Sequence, residues 1–326
     1  MAPGRLDDSP ERASAPSRTD KPTLYLLDNF HPAVHEFCEE NFNAYAPGHP
    51  EQANWRENAE FILVKGSYVT AEDIAACRKL RAIGKQGVGI DKIDQKACQA
   101  RGIRIFNTPG LNARTVAELT LSLTMDVARQ VSSIMARQAA GVVVQREKCN
   151  GMLLHGKSIG VIGMGHIGRA VAKLFHGAME SEVIAYDPFL PADAWQDIPH
   201  TRVNSLDDLL ATADVVSVHM PLTPETAGLI SYPQMKLMKN SAILINAARG
   251  GIINEKDLER ALAEKEIWGA GLDCHEQEPP TKERYGGLWD LGVVSTPHVG
   301  ATTRETQALT GTAAAKFVLE FARSSA

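Results

Sequence analysis

Several apolar runs in this chain end on charged or imidazole side chains. Asp187 closes Val183–Tyr186, and His219 and Pro221 follow Val215–Val218. Asn246, Arg249 and Gly250 follow Ala242–Ile245; Asp273, Glu276 and Glu278 follow Gly269–Leu272; Thr296 and His298 follow Val293–Ser295. If each run is a strand of one parallel sheet, these residues share the carboxyl-end rim, where open α/β sheets bind ligands. A guanidinium, several carboxylates and an imidazole on one rim are what hydride transfer to a carboxylate-bearing carbonyl needs. The cation orients the carboxylate and polarises the carbonyl, an acid supplies the proton, and a carboxylate keeps that acid in its useful state. Plainer readings stand beside this one. Arg249 can be a surface ion pair, Glu276 and Glu278 solvated loop acids, Cys274 a small filler, and most of the ten histidines structural or exposed.

The stretch Lys157–Asp187 supplies a second chemistry. Ile159–Ile162 reads as a buried strand, Gly163, Gly165 and Gly168 give GxGxxG, and Ile167, Ala170, Val171 and Leu174 carry helical spacing. The first glycine permits the turn, the second lets backbone approach a pyrophosphate, and the third lets the helix close on the strand. The helix N-terminus offers amide donors and partial positive charge to that pyrophosphate. Asp187 stands 19 residues after Gly168, where an acid accepts from ribose hydroxyls. It should repel a 2′-phosphate, and no Arg or Lys follows it closely in the chain, so NAD is expected over NADP. A glycine-rich turn in another α/β unit is the alternative.

These groups need a scaffold. With 326 residues, 44% hydrophobic and 22% charged, the chain suits a globular protein of two domains. A net charge of −5 gives no reason to expect nucleic acid or an anionic membrane as partner, and no apolar run is long enough to span a bilayer. The five cysteines (Cys38, Cys77, Cys98, Cys149, Cys274) are odd in number and lack paired metal spacing. No metal, no disulfide framework and a reducing, cytoplasmic setting are therefore expected. Residues 1–20, rich in Pro, Ser, Asp and Arg with no apolar segment, read as a disordered tail and not a secretory signal.

From Lys21 the pattern alternates. Strands are expected at Thr23–Leu27, Phe61–Val64, Ala82–Gly84 and Ile103–Phe106, with helices at about 33–41 and after the Thr70 cap. One uninterrupted helix is expected over about Thr115–Ala139. Six strands follow: the five runs at 159, 183, 215, 242 and 269, and Val293–Ser295. Asn254 with Asp257 starts a helix lined by Leu258, Ala261 and Leu262, and a last helix over Thr303–Arg323 is expected to pack back on the first unit. Such alternation dictates right-handed crossovers and parallel sheets covered on both faces. The expected fold is α/β: a doubly wound Rossmann domain at 109–301, inserted into a smaller flavodoxin-like domain formed by 21–108 plus 302–326.

Five segments carry a resemblance. Gly156–Pro188, His219-Met220-Pro221-Leu222-Thr223, Asn246-Ala247-Ala248-Arg249-Gly250-Gly251, Asp273-Cys274-His275-Glu276-Gln277-Glu278-Pro279 and Thr296-Pro297-His298-Val299-Gly300-Ala301 resemble the D-isomer-specific 2-hydroxyacid dehydrogenases, most of all the phosphoglycerate dehydrogenase branch. The likeness runs from about Leu24 to Ala322. It implies an NAD-dependent interconversion of a 2-oxo acid and its D-2-hydroxy acid, with Arg249, Glu278 and His298 as catalytic residues. Arg249 would bind the substrate carboxylate and keto oxygen with a planar fork. His298 would be general acid or base, and Glu278 would bond to it and favour its protonated form. Spacing to Pro279 selects Glu278 over Glu276. The amides of Gly87, Val88 and Gly89 would hold the substrate carboxylate, together with Arg249 and His298. Gly163, Gly165, His166, Ile167, Gly168, Asp187, His219, Pro221, Ala247, Arg249, Asp273, His298, Gly300 and Ala301 would line the cofactor, His219 either as a support of the pocket or in direct contact.

The resemblance also implies a homodimer. Departures are the missing tryptophan in Gln145–Asn150 and Asn254 where Asp is common. Only 28 residues follow His298, so an appended regulatory domain is not expected. Lys65 and Lys85 could read a substrate phosphate or be solvated lysines. Because fold alone does not settle function, an NAD(H)-sensing corepressor-like protein is the competing reading. Phosphite is a third option, and formate is disfavoured by Glu278.

Overall fold

The computed structural model describes residues 21–191 and 193–324; the expected tail at 1–20 lies outside them. The described residues form two compact units. One takes the chain up to Gln86, Ile90–Asn107 and Gly311 onward; the other takes Gly87–Gly89 and Thr108–Thr310.

The first unit holds β1 (Thr23–Leu26), β2 (Asn43–Tyr45), β3 (Phe61–Val64), β4 (Ala82–Lys85) and β5 (Arg104–Phe106) in the parallel order β2-β1-β3-β4-β5, the flavodoxin-like order. Alternation along the strands builds a core on each face. Leu24, Leu26, Phe61 and Leu63 pack with Val34 and Cys38 and with Ala314, Val318 and Ala322 of the last helix, Arg304–Ser324. Tyr25, Ile62, Val64 and Ile83 face Ile74, Cys77 and Cys98. Thr70 caps Ala71–Ala76 with a reciprocal Thr70–Asp73 capping box. β2 escapes a reading of apolar runs because its three residues, Asn-Ala-Tyr, contain no such run.

The second unit holds β6 (Ile159–Ile162), β7 (Val183–Tyr186), β8 (Thr201–Arg202), β9 (Val215–Val218), β10 (Ile243–Asn246), β11 (Gly269–Leu272) and β12 (Val294–Ser295). Their order, β12-β11-β10-β9-β6-β7-β8, is parallel throughout. The order reverses between β6 and β9, the doubly wound switch point at which ligands bind. β8 is a seventh strand beyond the six expected, two polar residues held by pairing to β7. Val161, Val215 and Ile245 pack with Val171 and Phe175 on one face; Val216, Leu244 and Leu272 pack with Leu209, Met235 and Leu258 on the other.

The uninterrupted helix expected over 115–139 is two helices, Ala113–Arg129 and Val131–Ala139. Gln130 between them is left-handed, with φ 56°. Its N–H still bonds to the Asp126 carbonyl, while the Asp126 carboxylate accepts from the Ser132 N–H, 2.8 Å away. A side chain thus starts the second helix where the main-chain ladder of the first stops. No proline is needed for that break.

Candidate active site

The nucleotide loop leaves β6 through Gly163, at φ +94°. A Cβ there would stand 2.6 Å from the His219 carbonyl oxygen, and one on Gly168 would stand 2.1 Å from the Gly163 carbonyl oxygen. Neither position admits a side chain. Over Gly165 the space is open within 4 Å, and no side chain caps the helix His166–Met179 that begins there. An exposed, uncapped helix start beside an open glycine fits a pyrophosphate. His166 is exposed and Ile167 half-buried at this start.

Asp187 ends β7. One carboxylate oxygen accepts from the Met164 N–H at 2.9 Å, the other from Phe189 and Leu190 at 2.9 and 3.2 Å. It therefore shapes the loop, and its half-buried oxygens retain lone pairs for ribose hydroxyls. Two neighbours were not legible in the sequence. Trp195 donates its indole N–H to the Met164 carbonyl, 2.8 Å away. Arg202, on β8, donates to the carbonyls of Asp187, Leu190 and Pro191. No cation follows Asp187 closely in the chain, yet sheet pairing brings one to its turn.

On the next two strands His219 and Asn246 support the rim. Ser217 Oγ lies 2.8 Å from His219 Nε2, and burial pushes this imidazole down to about 3, so the ring is neutral. His219 is therefore unsuited to delivering a proton. Pro221 is exposed, and its carbonyl accepts from Thr226. Asn246, 1% exposed, accepts from the Ala248 N–H at 3.0 Å and donates to the Arg249 carbonyl at 2.8 Å. Those two bonds form the turn that presents Arg249, and Ala247 is buried within it.

The turn also fits closely against the loop after β11. A Cβ on Gly250 would stand 1.9 Å from the His275 carbonyl oxygen. The Arg249 guanidinium donates to the Ala248 carbonyl at 2.7 Å, and the Cys274 thiol donates to the same oxygen at 3.3 Å. Asp273, 1% exposed, accepts from Thr296 Oγ1 and the Val299 N–H, both at 2.7 Å, and from the Gly300 N–H at 2.8 Å. Its carbonyl accepts from the His298 N–H, also at 2.7 Å. Asp273 thus builds the turn carrying His298, which stands in the left-handed region at φ 57°, a conformation costly for a side chain and held here by its surroundings. Gly300 is buried and Ala301 half-buried beside it.

His298 Nδ1 lies 3.0 and 3.1 Å from the two Glu278 oxygens. Glu276 has other partners: its carboxylate accepts from the Glu255 N–H at 3.2 Å and from Arg284 at 3.0 Å. Geometry therefore separates the two acids that charge alone could not. His275 is buried, with Nε2 2.9 Å from Ser295 Oγ, and burial lowers its proton affinity.

Gly87, at φ +100°, donates its N–H to Thr108 Oγ1 at 3.0 Å and accepts from the Thr108 N–H. In the first unit, Lys85 is buried rather than solvated, and its ammonium donates to the carbonyls of Lys65 and Gln86 at 2.7 Å. Lys65 donates to the Asn29 carbonyl. Asp28, another residue the sequence did not single out, accepts from the amides of Lys65, Gly66 and Ser67.

Comparison with known proteins bears on this arrangement. Residues 121–300 match the family model described as D-isomer specific 2-hydroxyacid dehydrogenase, NAD binding domain. The chain is 38% identical over 268 residues to the D-3-phosphoglycerate dehydrogenase of Methanocaldococcus jannaschii, covering 82% of this chain and 50% of that protein. It is 39% identical over 251 residues to the hydroxypyruvate reductase of Thermotoga maritima, covering 77% and 80%. The crystal structure of the NAD-complexed D-isomer specific 2-hydroxyacid dehydrogenase of Lactobacillus delbrueckii ssp. bulgaricus superposes with a TM-score of 0.75 at 25% identity, covering 93% and 98%. The chain spans about half the length of the phosphoglycerate dehydrogenases it matches. With two parallel sheets, a dinucleotide loop at the switch point and sequence likeness over four-fifths of its length, the chain belongs to the D-isomer specific 2-hydroxyacid dehydrogenase family.

Proposed function

We propose that this protein is an NAD-dependent dehydrogenase interconverting a 2-oxo acid and its D-2-hydroxy acid, with phosphoglycerate-, hydroxypyruvate- or glyoxylate-like substrates. The observation that carries the reading is the 3.0 Å pair of His298 and Glu278 on the rim that also holds Arg249. NAD, when bound, supplies the hydride donor or acceptor. It would lie along Gly163, Gly165 and Gly168, with its ribose hydroxyls on Asp187.

Arg249 binds the substrate carboxylate and polarises the keto oxygen. Glu278 fixes the tautomer with the proton on Nδ1, so Nε2 faces the substrate oxygen and delivers or collects the proton. Asn246 and Asp273 set the two turns that bring these groups together. The Gly87 amide donates to Thr108, and the amides of Gly87, Val88 and Gly89 would together hold the substrate carboxylate.

Val131, Met135, Val143 and Leu153 are large exposed apolar side chains around the helix Val131–Ala139, which supports a homodimer that covers them. Five thiols without disulfides fit a cytoplasmic setting. No described helix is long and apolar enough to cross a membrane.

The test follows reduced-nicotinamide absorbance with NADH and NADPH across a panel of 2-oxo acids. Turnover with NADH and at least one such acid is expected. No turnover with any of them, together with NADH-dependent peptide binding, would replace this reading by the corepressor-like one.

A further inference from the structure

The active-site region holds a thiol with no part in the mechanism above. Cys274 follows β11, is 1% exposed and lies in the loop that carries Glu278. One ligand atom from each of Cys274, Glu278 and His298 falls within 4.8 Å of the other two. The three differ in chemistry: sulfur, carboxylate oxygen and imidazole nitrogen. We propose that they form an inhibitory zinc site, so that free Zn²⁺ switches this centre off. Metal binding is independent of the proposed dehydrogenase activity; only its inhibitory consequence rests on that reading.

The donor set points to the metal. Thiolate, imidazole and carboxylate together suit Zn²⁺, whereas magnesium and calcium take oxygen ligands. Zinc bonds of about 2.0–2.3 Å place tetrahedral ligand atoms roughly 3–4 Å apart, so the cluster must contract by about an ångström. The movement falls to His298 and Glu278, whose side chains are 42% and 31% exposed. Cys274 is fixed on the Ala248 carbonyl at the closed end, and an ion approaches from the exposed side. Three protein ligands leave a fourth position for water or a substrate carboxylate.

The charge balance is favourable. Thiolate and carboxylate bring two negative charges that match those of Zn²⁺, and the imidazole is neutral; the Arg249 guanidinium, on the same Ala248 carbonyl, opposes the ion and favours the thiolate. On binding, the thiol S–H breaks, an S–Zn bond forms and the proton leaves to buffer. Binding is therefore accompanied by proton release.

Inhibition follows from the imidazole. Zinc on Nε2 occupies the lone pair that exchanges the proton with substrate; zinc on Nδ1 takes the place of the hydrogen bond between the ring and Glu278. Either way the ring stops serving as acid or base. The sequence hides the site, since Cys274 and Glu278 are separated by three residues and His298 follows 20 residues later, unlike any paired metal motif.

The experiment uses the full chain, stripped of metal and free of NAD, titrated with Zn²⁺ by calorimetry and with Co²⁺ by absorbance. The expected result is one ion per chain, proton release, and a thiolate-to-cobalt charge-transfer band. Cys274→Ser and His298→Gln should each weaken binding by at least about tenfold and the Ser variant should lose the band. Cys149→Ser, altering the half-buried thiol elsewhere, should change neither. With a 2-oxo acid that is turned over, Zn²⁺ inhibition reversed by chelator should shift at least tenfold in Cys274→Ser, each variant being compared with its own zinc-free rate. Absence of the band in the unaltered protein, its survival in Cys274→Ser or its loss in Cys149→Ser overturns the site. Thermal melts show whether the Ser variant folds; if it does not, the unaltered-protein titration and Cys274→Ala decide. Zinc binding without any turnover would sink the dehydrogenase reading alone, and turnover without zinc binding would sink this one alone.

Discussion

The two ends of the seven-stranded sheet use similar side chains differently. At the amino end, Asp214 precedes β9 and Ser158 precedes β6. The Asp214 carboxylate accepts from the Ser158 N–H at 3.0 Å, from its hydroxyl at 2.9 Å and from the Lys239 ammonium at 2.9 Å. Ser158 Oγ accepts in return from the Asp214 N–H. These donors all come from the protein, and the Asp214 side chain is only 14% exposed. At the carboxyl end, Glu278 and His298 pair with each other while their side chains stay 31% and 42% exposed. The amino-end group joins adjacent strands. The carboxyl-end groups sit on turns built by Asn246 and Asp273 and keep a face toward solvent. A polar cluster closed by the protein stabilises; one left partly open can act on a ligand.

Variants at the two ends should separate these roles. His298→Gln is expected to lower turnover about 10²–10⁴-fold with NAD affinity and melting temperature nearly unchanged. Steady-state kinetics beside calorimetric NAD binding would check this, and near-normal turnover would end the assignment of His298. Asp187→Ala should weaken NAD binding about tenfold or more, since charge-assisted hydrogen bonds contribute about 1.5–3 kcal/mol. It should also narrow the preference for NAD over NADP, because Arg202 stays beside the turn. An unchanged cofactor ratio would show that Asp187 only shapes the loop.

Asp214→Asn tests the opposite end. It should cost roughly 1–3 kcal/mol of stability and leave kcat within about twofold. Burial by itself would raise the Asp214 carboxyl, but its bonds to Lys239 and Ser158 outweigh burial and hold it below the usual carboxylate range. A depressed folded-state value means stability present above the unfolded value and lost as pH falls through the folded one. The melting difference between the two proteins should therefore be largest near neutral pH and close in acid. A difference that grew in acid would reverse the assigned sign. The smallest effect is expected for Asn254→Ala, about 1 kcal/mol. It removes the acceptor for the Asp257 N–H at the start of Glu255–Ala263 and touches no ligand-binding group.

Much of this was legible in the residues. GxGxxG and Asp187 stood out because a dinucleotide loop requires particular residue types at fixed spacing, and Gly163 and Gly168 do occupy positions with no room for a Cβ. Thr70 and Asn254 marked helix starts because capping is a local bond between a side chain and backbone a few residues on. The break at Gln130 was not legible. Its determinant, Asp126, is a common helix residue whose capping role depends on the chain turning back over it.

Local order along the chain, then, determined the alternation of strands and helices, the two parallel sheets and the stretches from which the site is drawn. That follows because hydrophobic periodicity, caps and glycine turns act over a few residues. Tertiary structure alone decided that Arg202 reaches the Asp187 turn and that Cys274 lies beside Glu278 and His298. Those are contacts between distant segments, set by strand register and the packing of turns, and the spacing of residues along a chain carries no record of them.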